Sequence, residues 1–224
     1  MRTPLPGTRV LPAAAAGDAS IRDALQGIVT PHLSDNLGRQ AGILGLHAYH
    51  GRGKLVGTAL TVRTRPGDNL FIYQAMMQVQ PGHVLVIDAG GALENAVLGE
   101  IMKRYLQQHG CVGVVVDGAI RDVGAFAQDD FPCYARGVTH RGPYKDGPGE
   151  VNVPVTVGGQ VVSPGDWLVG DEDGLVSFAP AHAPALIEAA RAHAAKEERI
   201  MAEIATGARE QSWMNAAFAA KGMA

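Results

Sequence analysis

Apolar residues along the chain fall in short blocks, separated by glycine, proline and acidic turns, and the blocks change spacing as they go. Leu55 to Val62 (LVGTALTV) is rich in β-branched residues and predicts a strand. His83 to Asp88 (HVLVID) predicts another, entered through the Pro81-Gly82 turn. Val112 to Asp117 (VGVVVD) is almost uninterruptedly apolar, the pattern of a strand covered on both faces. Phe131 to Ala135 is a shorter strand, and Val151 to Val162 reads as a hairpin turning at Gly158-Gly159. Trp167 to Val169 and Leu175 to Phe178 flank an acidic turn, Gly170 to Gly174. Helical segments lie between these strands. Asp18 is placed to cap a helix running to Ile28, Ser34-Asp35-Asn36 to cap a short one, and Gly67-Asp68-Asn69 to open one reaching Met77. A helix from about Gly99 to His109 stops at Gly110, a long Ala-rich one covers roughly Ala185 to Ala205, and a last one covers Ser212 to Lys221. Strands alternating with helices, with no repeat, low-complexity tract or linker, predict one mixed α/β domain over residues 1–224.

Composition narrows the class. Hydrophobic residues make up 46% of the 224, enough for a sizeable core, while the net charge of -3 supplies no general field for nucleic acid or an anionic membrane. Cys111 and Cys133 are too few for a disulfide framework or a cysteine-built zinc site, which suits a reduced, cytoplasmic protein. Prolines, Gly7 and Arg9 interrupt the opening segment Met1 to Arg9, so no export signal is expected there, and no stretch is long and uncharged enough to span a membrane.

The chemistry concentrates in Gly99-Glu100-Ile101-Met102, followed through one helix and one strand by Asp117-Gly118-Ala119-Ile120-Arg121-Asp122. A helix starting near Gly99 exposes backbone N–H groups that suit a carboxylate. The strand then returns the chain through the core, so Arg121-Asp122 emerges at its end, with Gly118 freeing the turn. An anion pocket, a guanidinium and a carboxylate are thereby expected at one mouth, although an Arg-Asp pair is also common in solvated loops. No Gly-x-Gly-x-x-Gly fingerprint follows His83 to Asp88, and the eight histidines form no HExxH motif. The cluster Asp171-Glu172-Asp173 lacks EF-hand spacing and reads as an exposed turn.

Gly99-Glu100 with the Asp117 to Asp122 motif resembles the 4-hydroxy-4-methyl-2-oxoglutarate/4-carboxy-4-hydroxy-2-oxoadipate aldolase family, which shares its fold with the RraA-like regulators of ribonuclease E. Supporting segments are Ser34 to Arg39, Gly67 to Leu70, Arg136 to Thr139, Gly142 to Glu150 and Pro164-Gly165-Asp166. The resemblance implies the swivelling β/β/α domain of the RraA-like type, assembled as a homotrimer or a hexamer of trimers, with the C-terminal helices (about 185–221) packing on a neighbouring subunit. It implies Asp122 as the only direct protein ligand of Mg²⁺ or Mn²⁺, with the amides around Gly99, Ile101 and Met102 holding the carboxylate of a 2-oxo acid. Arg121 would contact the keto oxygen and stabilise the developing enolate. Glu100 would hold metal-bound water, as would Glu197 from a neighbouring subunit, and the products would be pyruvate plus pyruvate or oxaloacetate, with accompanying oxaloacetate decarboxylation. Asn69 is a further substrate contact, or else a helix cap. Lys145 is a contact for a distal carboxylate, or else a solvated loop residue.

One position departs from the family pattern: Ala125 stands where an acidic residue is frequent, three residues after Asp122. A Schiff-base mechanism needs a desolvated lysine, and Lys54, Lys103, Lys145, Lys196 and Lys221 all read as polar or helical positions. The rival readings are a non-catalytic RraA-like protein that binds a ribonuclease and a lyase of the same fold acting on another 2-oxo acid. The extension through Lys196-Glu197-Glu198, which such regulators typically lack, favours the enzyme.

Overall fold

The computed structural model describes residues 6–223; Met1 to Leu5 of the segment read for an export signal, and Ala224, lie outside the described residues. Helix α1 (Ala19–Gln26) starts where expected, because the Asp18 carboxylate accepts the N–H groups of Ser20 and Ile21. Helix α2 (Thr30–Asn36) corrects the reading of Ser34-Asp35-Asn36, which closes this helix instead of opening one. Pro31 sets the start, and the Thr30 N–H is taken by Asp171 from the acidic turn. Next come β1 (His47–Ala48), β2 (Leu55–Thr64), α3 (Leu70–Met76), β3 (His83–Asp88), β4 (Ala96–Leu98) and α4 (Glu100–Gln108). Gly110 ends the α4 turn at φ +80, a left-handed conformation that favours glycine. The chain continues through β5 (Gly113–Ile120), α5 (Val123–Ala127), β6 (Cys133–Val138), β7 (Gly149–Val151), β8 (Val155–Val157) and β9 (Gln160–Val162). The expected hairpin is confined to β8 and β9, since β7 pairs with β2 instead. An antiparallel pair, β10 (Trp167–Asp171) and β11 (Gly174–Phe178), leads to α6 (Ala183–Ile204) and α7 (Ser212–Ala219).

The main sheet runs β1-β6-β5-β3-β2-β10-β11, parallel through β6-β5-β3-β2 and antiparallel at both flanks. Its two margins approach each other: Ile43 N donates to Leu175 O at 2.9 Å, and the Tyr134 hydroxyl donates to Asp171 O at 2.9 Å. The sheet is therefore nearly closed. Period-two alternation divides its apolar runs between separate cores. Val84, Val86 and Val115 point inward with Tyr134, Leu168 and Leu175. Leu85, Ile87, Val114 and Val116 point outward beneath α3 and α4, packing with Ile72, Met102 and Leu106. On β10 and β11, Trp167, Val169, Val176 and Phe178 meet α1, α2 and α6 through Leu25, Leu33, Leu186 and Ile187. Both faces of the parallel strands are covered, as their unbroken hydrophobicity requires.

Candidate active site

Strand β4 pairs in parallel with the end of β5, Ala96 beside Ala119 and Leu98 beside Ile120. Each strand then stops on the same side of the sheet. β4 passes through Gly99 into α4, and β5 passes into Arg121-Asp122, whose Arg121 N–H is held by Leu98 O at 3.0 Å. This register lays the α4 N-terminus against the Arg-Asp pair. The Glu100 N–H donates to Asp122 Oδ2 at 3.1 Å, and Arg121 Nε lies 3.7 Å from the same oxygen. In the first turn of α4 the N–H groups of Ile101 and Met102 have no intrahelical acceptor, so a positive helix end faces the cleft.

Two glycines make the close approach possible. A Cβ on Gly99 would fall 2.6 Å from Asp122 Oδ2, and one on Gly142 would fall 3.2 Å from Arg121 Nη1. Asp122 itself has φ +59, a left-handed conformation uncommon for a residue other than glycine, although aspartate and asparagine adopt it more readily than most. It is spent on aiming the carboxylate, since Asp122 sits at the N-cap of α5 and makes no side-chain cap there.

A cleft of about 430 Å³ opens at this point, a volume suited to a small molecule. Gly99, Ile101, Met102, Arg121, Asp122, Asn69 and Lys145 all line it, so seven of the nine residues singled out in the sequence share one cleft. Asn69 is buried and does not cap α3; the Leu70 N–H goes to Asp68 Oδ1 instead. Its Nδ2 reaches Val97 O at 3.3 Å, and its Oδ1 is buried without a partner among the described residues. A buried carbonyl oxygen left unpaired is costly, which marks it as an acceptor for something that enters the cleft.

Glu100 and Glu197 lie elsewhere in this chain. The Glu100 carboxylate turns along α4 to Arg104, at 2.6 and 2.8 Å. Glu197, on α6, accepts from His32 at 2.8 Å and lines no part of the cleft. Asp117, the first residue of the motif, is a structural group: it accepts from the Gly158 N–H at the β8–β9 turn and from Arg136.

The Gly142 to Glu150 segment forms one rim and brings Pro143 and Lys145 to the cleft. Asp68 ties it down, accepting the N–H groups of Asp146 (2.7 Å) and Gly147 (3.0 Å) as well as that of Leu70. Burial alone would raise the Asp68 carboxyl; these three donors and Arg65 outweigh it and hold it below the ordinary carboxylate range. The opposite wall is apolar, built from Tyr73 and Met76 of α3, Met77 just after it and Tyr105 of α4. These residues were not singled out in the sequence. Their only signal was helical spacing beside a predicted site, which ordinary core packing also produces.

Lys103 is helical, as its sequence setting suggested, but desolvated. It is buried on the inner face of α4, paired with Asp129 and bonded to Ala125 O, and lines no part of the cleft. Both cysteines are buried, and burial pushes the Cys111 thiol up to about 11, so neither serves as a nucleophile. No helix among the described residues is long and apolar enough to cross a membrane.

Residues 30–177 match the RraA-like family model, described as Aldolase/RraA, which covers well over half of the chain. The chain belongs to the RraA-like family. A 4-hydroxy-4-methyl-2-oxoglutarate aldolase of Thermus thermophilus is 36% identical over 129 residues, 58% of this chain and 78% of that protein. A relative from Halalkalibacterium halodurans, given the same aldolase name provisionally, is 39% identical over 145 residues, 65% of this chain and 69% of its own. Among solved structures, Streptomyces coelicolor RraAS2, described as an unusual member of the RNase ES inhibitor RraA family, superposes with a TM-score of 0.75. It is 29% identical, over 81% of this chain and 96% of its own. The α/β, RraA-like fold read from the sequence is therefore the fold of the protein, while these relatives carry the names of an aldolase and of a ribonuclease inhibitor.

Proposed function

We propose that this RraA-like protein is a divalent-metal-dependent pyruvate aldolase acting on 4-hydroxy-4-methyl-2-oxoglutarate, 4-carboxy-4-hydroxy-2-oxoadipate or both. The observation that carries the reading is the convergence of Asp122, Arg121 and the α4 N-terminus on one cleft above the unpaired Asn69 Oδ1. A partly exposed carboxylate, with no other acidic group lining the cleft among the described residues, suits a hard cation that keeps most of its waters; Mg²⁺ or Mn²⁺ fits this donor set, and Asp122 would hold it. Such an ion, when bound, polarises a keto oxygen.

The chain's own groups perform the remaining tasks. The N–H groups of Ile101 and Met102 bind the carboxylate of the 2-oxo acid, and Asn69 Oδ1 accepts from a substrate hydroxyl. Retro-aldol cleavage breaks the bond between C3 and C4: the C4 hydroxyl gives its proton to water in the cleft and becomes a carbonyl, the electron pair passes to pyruvate C3, delocalised to the keto oxygen, and a proton returned from water to C3 completes the pyruvate methyl. Arg121 stands beside that oxygen and stabilises the charge as it forms. Lys145, on the rim, meets the distal carboxylate. Oxaloacetate decarboxylation follows from the same enolate. Glu100 and Glu197 enter the reading as holders of ordered water, Glu197 only from a second copy of the chain. Exposed apolar side chains beside the cleft, Ile101 and Met77, and on α7, Trp213 and Phe218, support a homotrimer or hexamer that would cover them.

The names of the solved relatives keep a second reading in view, a regulator that binds a ribonuclease. One experiment separates the readings: pyruvate release from a panel of hydroxy-2-oxo diacids, in EDTA and after adding Mg²⁺ or Mn²⁺. The expected result is metal-restored turnover that Asp122→Asn abolishes without unfolding, since asparagine accepts the left-handed backbone. Turnover that survives chelation refutes the metal dependence, and the absence of turnover with every substrate refutes the aldolase.

A further inference from the structure

Outside the cleft, the seam between α2 and α6 holds a second cluster of ligand-type side chains. His193 and Glu197 stand one turn apart on α6, and His32 faces them from α2. His32 Nε2 lies 2.8 Å from Glu197 Oε2, His193 Nε2 lies 3.4 Å from Glu197 Oε1, and the ligand atoms of all three residues lie within 4.8 Å of one another. The two imidazoles stack with centroids 4.9 Å apart and planes 22° from parallel, so their Nε2 atoms address one carboxylate. Asp35 Oδ2 is 3.8 Å from His193 Nε2, while Asp35 Oδ1 is held by Arg39.

A hydrogen-bonded seam accounts for His32 and Glu197 but leaves His193 unexplained. Its side chain is only 24% exposed, and among the described residues its ring nitrogens make no hydrogen bond: Asp35 Oδ2 stands too far off at 3.8 Å, and Glu197 Oε1, at 3.4 Å, makes a charge contact without hydrogen-bond alignment. The two His193 spacings suit a different use, for which the 2.8 Å contact between His32 and Glu197 would open slightly. A tetrahedral ion with bonds of about 2.1 Å holds its ligands about 3.4 Å apart. Two imidazole nitrogens and a carboxylate oxygen form a donor set for Zn²⁺ or Co²⁺, whereas Mg²⁺ takes oxygens alone.

We propose that His32, His193 and Glu197 form a transition-metal site that pins α6 to α2, with Asp35 or water in the fourth position. The site goes beyond the aldolase reading and needs neither Asp122 nor Arg121. It binds in its own chain the carboxylate that the aldolase reading lends to a neighbouring copy, so the two uses of Glu197 exclude each other at any instant.

The test uses tag-free, full-length protein stripped with EDTA, titrated with Zn²⁺ by calorimetry and with Co²⁺ by visible absorption. Wild type is expected to bind one Zn²⁺ per chain, to show tetrahedral Co²⁺ absorption, and to melt at a higher temperature with Zn²⁺ than in EDTA. His32→Gln, His193→Gln and Glu197→Gln, each checked by its melt in EDTA, should weaken Zn²⁺ binding by about tenfold or more and lose the Co²⁺ absorption. Asp122→Asn should bind Zn²⁺ as wild type does, which keeps this outcome separate from failure of the aldolase. The site is overturned if wild type binds no Zn²⁺, if the His193 and Glu197 variants bind it unchanged, or if Asp122→Asn is the variant that loses it.

Discussion

Gly99→Ala separates what the cleft needs from what the fold needs. The Gly99 backbone is extended, with φ -154 and ψ -168, so alanine can adopt it without left-handed strain. Replacing glycine also restricts the unfolded chain, a stabilising effect of about 0.4–1 kcal/mol, against about 0.5–1 kcal/mol lost because alanine is much the poorer N-cap. The new methyl carbon would lie 2.6 Å from Asp122 Oδ2 and 3.0 Å from Arg121 Cγ. The carboxylate must therefore retreat by roughly 0.8 Å to reach ordinary contact. It is the free end of a partly exposed side chain, so the retreat costs the fold little, but it lengthens the bond from the Glu100 N–H and moves the one carboxylate that lines the cleft. A misplacement near 1 Å costs about a hundredfold in rate, equivalent to about 2.7 kcal/mol of transition-state stabilisation. The expected outcome is a melting curve within about 1 kcal/mol of wild type, weaker Mn²⁺ binding by electron paramagnetic resonance, and a pyruvate-release kcat/KM lower by about two orders of magnitude. Wild-type kcat/KM in the variant would refute the role given to the Asp122 position; a collapse of stability would refute the claim that the fold tolerates the methyl.

Arg121→Lys should lower kcat by about a hundredfold with a smaller change in KM, because a lysine cannot present the planar fork of donors beside the keto oxygen; steady-state kinetics on the preferred substrate decides it. Asp68→Ala removes the acceptor for three backbone N–H groups and should cost about 3 kcal/mol in urea unfolding, raising KM as the Gly142 to Glu150 rim loosens. Glu150 is held below the ordinary carboxylate range chiefly by its hydrogen bond from Arg9. A depressed folded value means that its stabilisation is full above the unfolded pKa of about 4.3 and fades as pH falls through the folded one. Glu150→Gln should therefore melt below wild type at pH 7, with the gap narrowing below about pH 4; a gap independent of pH would assign Glu150 a packing role alone.

The strands and the long helix could be read from the sequence because their causes are local. An apolar run such as Val112 to Asp117 has one satisfactory environment, a strand covered on both faces, and β5 occupies it with three further residues of its motif. Asp18 capped the first helix because a carboxylate next to a helix start has nearby N–H groups to accept. Ser34-Asp35-Asn36 misled for the same kind of reason: capping residues look alike at either end of a helix, and Pro31, one turn earlier, set the start. Spacing alone could suggest that Gly99 and Asp122 share a mouth, but the parallel pairing of β4 with β5 brought Asp122 within hydrogen-bond reach of the Glu100 N–H. β4 is three residues long, too short for a periodic signal. Nothing local distinguishes Asp117 from Asp122, five residues apart in one motif. The sheet made the first a buried tie to the β8–β9 turn and left the second at the cleft, because a strand residue takes the face its register imposes while a residue past the strand end is free to turn outward. The meeting of His32 with His193 and Glu197 is likewise invisible along the chain, since 160 or so positions separate the helices and only the packing of α2 on α6 closes that distance.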